Sequence, residues 1–368
     1  MMSQPAAEPT PLELPGAWSA LLVSPVSDGW PGVAPRAVAH FGAREEETRW
    51  LLAGEPSVVP LVRHGALRLT GADRGAFLHG QVSHDVNGLA VGAARPALLL
   101  DHRGRPQAGV SVVRRESDIY LAVDDDRVSH VHRSLDRHIV FDDVAIADLS
   151  ERIASLVVAG DAALNALAQL LPHGALEATA QTPRQLAWRG ADVLVHRRPR
   201  GLGLSLDVHL LREHLGAFWV ALLSAGVRPV GERALVAARI AAGRASAAFE
   251  GVDALPQEAA LEGRVSYRKG CYLGQEIMAR VEARGTLRRS LARLRLEAAP
   301  PEGAAATLDV IDAEGRSVGR VGSAAAGADG IWRALAVVRN DVTNEQRLTA
   351  LGVDASIEGR VANSLGWD

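Results

Sequence analysis

Cysteine, lysine, methionine and tyrosine are all but missing from this chain, and the gaps exclude a good deal. Its 368 residues include one cysteine, Cys271, with three methionines and three tyrosines, and aromatic residues reach only 4%. A lone cysteine forms no internal disulfide, and it cannot supply a multi-cysteine zinc or iron–sulfur site from one chain. It gives no reason to invoke an oxidising compartment. No stretch approaches the roughly 18–20 apolar residues of a membrane-spanning helix. The first 35 residues carry no Lys or Arg, so the charged start of a secretory signal is missing. A cytoplasmic protein with no membrane partner is the expectation. Net charge is −3, which provides no overall basic field, and no direct nucleic-acid partner is expected. The local cluster Arg197, Arg198 and Arg200 reads as solvated surface. Also absent are a Walker A loop, a G-x-G-x-x-G after a strand, a G-x-S-x-G elbow and H-E-x-x-H.

What is present describes a globular protein: 23% charged residues, a mean hydropathy of +0.05, and length for two or three domains. Residues 1–45 are rich in Pro, Gly and Ala and read as a loosely structured arm. "ALRLTGADRGAFLHGQVSHDV" (66–86) reads as a short alternating strand, a turn, and a helix that Asp73 can cap. "ALLLDHRGRPQAGVSVVRR" (97–115) reads as two strands joined by a turn at Asp101–Pro106. Strand, helix and strand follow over 118–150, with Asp124–Asp126 placed to cap the helix and favour its dipole. His130, His132 and His138 do not share one helix face, so no metal ligand set is read there. The pattern recurs as strand 153–159, helix 160–171, strands near 185–189, 191–197 and 202–206, then helices over 209–225 and 231–243. This alternation argues for an α+β or mixed α/β body with one sheet per unit. Residues 288–368 carry short, closely spaced strands broken by Gly, Pro and Asp, and predict a small β-barrel or sandwich.

One segment departs from the chain-wide bias. "YRKGCYLGQEIM" (267–278) holds the only cysteine, two of three tyrosines, Met278, and Lys269, the one lysine among 40 Lys plus Arg. Arg replaces Lys on an ordinary surface, but not where a compact ammonium or a titratable amine is needed. Lys269 and Cys271 lie two apart, with Gly270 permitting close backbone approach. If Cys271 opens a helical turn through Gly274–Glu276, helix-end donors and the ammonium both favour the thiolate. Such a thiolate can attack, be oxidised, or give one ligand to a metal centre shared with a partner; the alternative is a small buried hydrophobe. Gln275 and Glu276 either satisfy backbone groups or meet a polar ligand. Tyr267 and Tyr272 either flank a flat ligand or pack in a core. Glu258 is either a turn residue or a pocket carboxylate.

Lys269-Gly270-Cys271-Tyr272-Leu273-Gly274-Gln275-Glu276 resembles the K-G-C-[YF]-x-G-Q-E signature of the YgfZ-type folate-binding proteins. These are relatives of the glycine-cleavage T-protein and include mitochondrial iron–sulfur assembly factors. Gly71 to Gln81, the strand–turn–strand at 98–112, and "GERALVAARIAAG" followed by "LPQEAAL" resemble family segments in the same order. The resemblance covers about residues 60–340. It implies a three-part cloverleaf fold of α+β type, a folate-binding region over 46–287 with two β–α–β type subdomains, and a C-terminal barrel over 288–368. It implies tetrahydrofolate or a derivative as ligand, iron–sulfur client or assembly proteins as partners, and support of iron–sulfur cluster assembly or repair. On this reading Cys271 is the functional thiol and Lys269 tunes it. The candidate folate contacts are Glu258, Tyr267, Arg268, Gly270, Tyr272, Gly274, Gln275, Glu276 and Arg280, with no metal ligand assigned. T-proteins carry an acidic pair after the strand–turn–strand, where this chain has Gln107, Ala108 and Gly109. They place a folate-binding Glu where this chain has Ala241. Both departures argue against the alternative, a folate-dependent aminomethyltransferase or demethylase.

Overall fold

The computed structural model describes residues 37–362, apart from 172–173, 199, 302–303 and 305–307. The expected arm lies outside the described residues as far as 36. Its last part is not loose: Ala37, Val38 and Ala39 are fully buried. In chain order the elements begin with α1 (Arg44–Leu52), β1 (Ser57–Pro60), β2 (Gly65–Thr70), α2 (Arg74–Gln81), β3 (Ala94–Leu100), β4 (Pro106–Arg114), β5 (Ile119–Val123), α3 (Val128–Asp136) and β6 (Ala145–Asp148). They continue with β7 (Ile153–Ala159), α4 (Asp161–Leu170), β8 (Arg184–Trp188), β9 (Ala191–His196), β10 (Ser205–Leu211), α5 (Leu215–Ser224), β11 (Arg228–Pro229), α6 (Glu232–Ala241) and α7 (Gln275–Arg284). The last six strands are β12 (Arg289–Leu296), β13 (Asp309–Asp312), β14 (Ser317–Ala326), β15 (Trp332–Arg339), β16 (Leu348–Ala350) and β17 (Val353–Arg360).

These elements make three bodies. The first is an antiparallel sheet in the order β3-β4-β5-β2-β6. Alternation along β2 sends Leu67 and Leu69 to one face, where they meet Phe77 and Leu78 of α2 and Leu135 of α3. The opposite face presents Ala66, Tyr120 and Ala122, which pack against Leu194 of the second body. That second body is a six-stranded sheet, β11-β1-β7-β10-β9-β8, with α4 and α5 covering one face through Leu164, Leu167, Phe218 and Trp219. Arg189 and Gly190, both at positive φ, form the two-residue turn between β8 and β9, the backbone that a tight hairpin requires. The third is a closed barrel in the order β12-β15-β14-β13-β16-β17. Irregularities in register at Arg293/Leu294, Val310/Ile311 and Val321/Ser323 supply the local bends of a closed sheet. Among the described residues, no helix is long and apolar enough to cross a membrane.

Two differences from the expected elements have physical causes. The expected strand 202–206 and helix 209–225 become β10 and α5, because "SLDVHLL" pairs along its whole length with β7. The expected capping roles are not made: Asp73 stands at the N-cap of α2, but its Oδ2 accepts from the Asp143 amide (2.8 Å). Arg127 precedes α3, with no side-chain cap. A fourth cluster of apolar side chains joins the first body, α6 and the barrel. It includes Leu98 and Leu100 of β3, Val236 and Ile240 of α6, Leu335 and Val337 of β15, and Tyr272 and Met278. The carboxylate of Glu47 ties the arm's end to α6, accepting from the amides of Phe41 (2.7 Å), Ala43 (3.1 Å) and Gly231 (2.9 Å). Gly231 is needed there, since a Cβ would lie 2.2 Å from the Ala39 carbonyl oxygen.

Burial pushes the pKa of His209 down to about 3, and those of His84 and His196 down to about 4. Each is therefore neutral in the fold and takes up its proton more readily when unfolded, so its contribution is complete above about pH 6.5 and lost as pH falls toward 3–4. Unfolding free energy measured by denaturant titration is expected to fall between pH 6.5 and 4, by up to about 1.4 kcal/mol per pH unit for each histidine. His209→Gln is expected to reduce that slope by the share of one proton, and an unchanged slope would refute the assignment.

Candidate functional site: a buried charge network where the bodies meet

The residues expected to form the site are engaged in different ways. Lys269 is anchored: its ammonium donates to the backbone carbonyls of His79, Val82 (2.7 Å) and His84 (3.4 Å), at and beyond the C-terminal end of α2. It also lies over the Tyr272 ring, 4.7 Å from the centroid. Burial pushes its pKa down to about 8, so at neutral pH it remains charged and holds an end of a helix that attracts cations. Cys271 is exposed. It precedes α7, whose N-cap is Gly274. Gly274 sits at φ +84 against the β3–β4 turn, where a Cβ would fall 2.6 Å from the Asp101 carbonyl oxygen. The segment from Lys269 to Gly274 is thus held at both ends by the first body, with Cys271 presented between them.

Of the other nominated residues, Glu258, Tyr267, Tyr272 and Gln275 make local contacts. Glu258 caps the Leu255 amide (3.0 Å) and forms a two-point ion pair with Arg289 of β12 (2.7 and 3.2 Å). The hydroxyl of Tyr267 donates to Glu262 (3.1 Å) and accepts from Gln257 (2.8 Å). Tyr272 is buried in the central apolar cluster. Gln275 Oε1 accepts from the Tyr272 amide (3.2 Å). Arg268, Gly270, Glu276 and Arg280 are exposed.

A cavity of about 80 Å³ lies elsewhere, at the junction of the two sheets and α6, and none of the nominated residues lines it. Its wall is a charge network. Arg198, beyond β9 and 5% exposed, donates both terminal nitrogens to Asp124 at 2.8 Å and reaches Asp207 of β10 at 3.4 Å. Arg200 binds Asp207 through Nε (2.9 Å) and Nη2. Burial opposes ionisation of Asp124, but the Arg198 guanidinium and a His64 hydrogen bond override it and hold the carboxyl well below the usual range. The same contest, decided by Arg200 and then Arg198, holds Asp207 at about 2. His64 Nδ1 lies 3.3 Å from Asp124 Oδ1. Asp125 and Asp126 adopt left-handed backbone, at φ +56 and +58, which turns Asp125 toward Ser246, whose hydroxyl donates to it at 2.5 Å. Glu232, in the first turn of α6, has its pKa raised by burial to about 7. Arg264 crosses β4 to lie 3.7 Å from Asp124. Gly109 makes room for it, since a Cβ there would meet Arg264 Nη1 at 2.4 Å.

The sequence reading missed these groups and misassigned two sets. Arg198 and Arg200 are not solvated surface, and Asp124–Asp126 are not helix caps. Their shared signal is charge placed directly at strand ends in an otherwise balanced chain: an acid triplet after β5 and a basic run after β9. Each has a separate local explanation when read alone, a helix cap for the acids and solvated surface for the arginines.

Two sheets that meet at a charged cavity, followed by a closed barrel, define an aminomethyltransferase-type fold. The glycine cleavage system aminomethyltransferase T from Bartonella henselae superposes with a TM-score of 0.74, at 19% identity, over 88% of this chain and 90% of that one. The family described as the GCVT N-terminal domain matches residues 57–269, and the chain belongs to it. Residues 288–361 match the CAF17 C-terminal β-barrel domain. An uncharacterized protein of Haemophilus influenzae is 29% identical over 100 residues, which is 27% of this chain and 35% of that protein. The chain thus matches about a third of the length of that curated relative.

Replacing Lys269 by Met is expected to leave carbonyls at the end of α2 without a donor and to cost about 1–3 kcal/mol. Thermal or denaturant unfolding measures this; stability equal to wild type would mean that the ammonium does not anchor the loop.

Proposed function

We propose that this chain binds a reduced folate at the central cavity and supports assembly or repair of iron–sulfur clusters in client enzymes, with Cys271 as the working thiol. The observation that carries the thiol part is its presentation. The sole cysteine is exposed on a short segment pinned by Lys269 on one side and by Gly274 on the other. An exposed thiol on a fixed loop suits exchange with another protein better than chemistry in an enclosed pocket.

The cavity residues fit a folate in chemical type. Phe249 contributes an aromatic ring to the wall, a side chain suited to packing with a flat ring. Arg244 and Arg264 offer cations for the carboxylates of a folate tail. The cavity itself takes one end of such a ligand rather than its whole length. When bound, a reduced folate would supply a carrier for one-carbon units. The chain's own groups bind and orient it: the Arg198 network keeps the wall rigid, and α6 closes one side. Where T-proteins carry their acidic pair, this chain has Gln107, Ala108 and Gly109, and the space at Gly109 holds the Arg264 guanidinium. A cation in that place favours anion binding over proton abstraction, which supports a binding role over one-carbon transfer.

Calorimetric titration with tetrahydrofolate is expected to show one site. Gly109→Ala, which displaces Arg264, is expected to weaken it by about tenfold, whereas Glu258→Ala should leave it intact. Equal affinity in wild type and Gly109→Ala would move the site away from the cavity. In cells lacking the protein, a Cys271→Ser variant is expected to bind folate yet fail to restore activity of the affected iron–sulfur enzymes. Full restoration by the serine variant would remove the thiol from the function.

A further inference from the structure

Three side chains on the cavity wall have an arrangement that neither folate binding nor the thiol uses. His64 comes from the β1–β2 connection, Asp125 from the loop after β5, and Glu232 from the first turn of α6. One donor atom of each lies within 4.8 Å of the others. The contact of His64 Nδ1 with Asp124 engages that nitrogen and leaves Nε2 as the ring atom open to a cation. Nε2 lies 4.0 Å from Asp125 Oδ1, too long for a hydrogen bond. Two ligands bonded to one ion at about 2.1 Å each fall within that separation. The Ser246 hydroxyl holds Asp125 Oδ2 and leaves Oδ1 toward the histidine.

Glu232 gives the independent sign of a ligand. It is 5% exposed, it lines the cavity, and its Oε2 is buried with no hydrogen-bond partner. A buried carboxylate oxygen without a donor is costly, and a cation supplies what this one lacks. The neighbouring positive charges are largely committed to other carboxylates: Arg198 to Asp124 and Asp207, Arg200 to Asp207, and Arg239 to Glu250 at 2.8 Å. Arg264 stands against Asp124, and Arg244 lies elsewhere on the wall. Asp125 and Glu232 are the carboxylates left facing the imidazole.

We propose that His64, Asp125 and Glu232 form a divalent-cation site of mixed nitrogen and oxygen donors, suited to Zn²⁺ or Mn²⁺, with Asp124 orienting the imidazole. One imidazole and two carboxylates match the preferences of these ions. A carboxylate on the remote ring nitrogen is the usual support of a metal-binding histidine. Asp124 is therefore a positioning residue, clamped in turn by Arg198. The proposal does not depend on folate binding, because every donor belongs to the chain.

The test titrates the folate-free, chelator-stripped full chain with Zn²⁺ alone and Mn²⁺ alone at neutral pH. The expected result is one ion per chain. Glu232→Gln should weaken binding by about 100-fold and Asp124→Asn by about 10–100-fold, while Cys271→Ser leaves it unchanged. Zn²⁺ should raise the unfolding temperature of wild type by mass action, but not that of Glu232→Gln. Spin-echo modulation of bound Mn²⁺ in the wild-type chain should show a single imidazole nitrogen, a readout that needs no variant. Absence of saturable binding, binding lost in Cys271→Ser, affinity unchanged in Glu232→Gln, or a Mn²⁺ signal without nitrogen would each overturn the site.

Discussion

The guanidinium of Arg198 is the contact on which the centre of this molecule depends. It follows the second body's β9, yet its bidentate partner, Asp124, closes β5 of the first, 74 residues earlier. Asp207 on β10 completes the junction from the other side. A buried guanidinium between two carboxylates gives little net stability relative to an apolar replacement, but removing one partner leaves uncompensated charge and costs about 3–5 kcal/mol. The network is therefore better understood as fixing the relation of two sheets than as strengthening either. Asp124 Oδ1 also lies against His64, so the orientation of the imidazole inherits that constraint.

The first body connects the cavity to the thiol. Its β4 contributes Gly109, which admits Arg264 to the cavity wall. Its α2 and the turn after β3 hold the two ends of the Cys271 segment. Cavity and thiol are distinct places on one packed unit. The barrel reaches the same region through α6: Arg239 binds Glu250 and the hydroxyl of Ser323 on β14. The cavity wall thus has contributions from, or direct ties to, all three bodies.

Much of this was legible from local pattern, and the reasons for the rest are specific. The β8–β9 hairpin and the strands of the barrel announced themselves by alternation and turn residues. The 267–278 segment stood out because Lys269 and Cys271 resist a bias that governs the rest of the chain. The end of the arm was not legible, because its order comes from Glu47 bonding an amide 184 residues away. The charge network was hidden for the same reason. "VDDD" reads as a helix cap and "RRPR" as solvated surface, and only the stacking of the two sheets brings them together. Among the nominated folate contacts, Glu258 is held by Arg289 of the barrel, a partner that local pattern does not reveal.

The exposure of Cys271 sets a stoichiometry. With one thiol per chain, the protein has a redox valence of one: every disulfide it enters joins it to a second molecule, and no product exceeds a one-to-one adduct or a pair of identical chains. A metal cluster that needs four thiolates can take only one of them here, so the remaining three belong to other molecules. A cluster held in this way would exist only in a complex, for as long as the partner supplying the other ligands stayed bound.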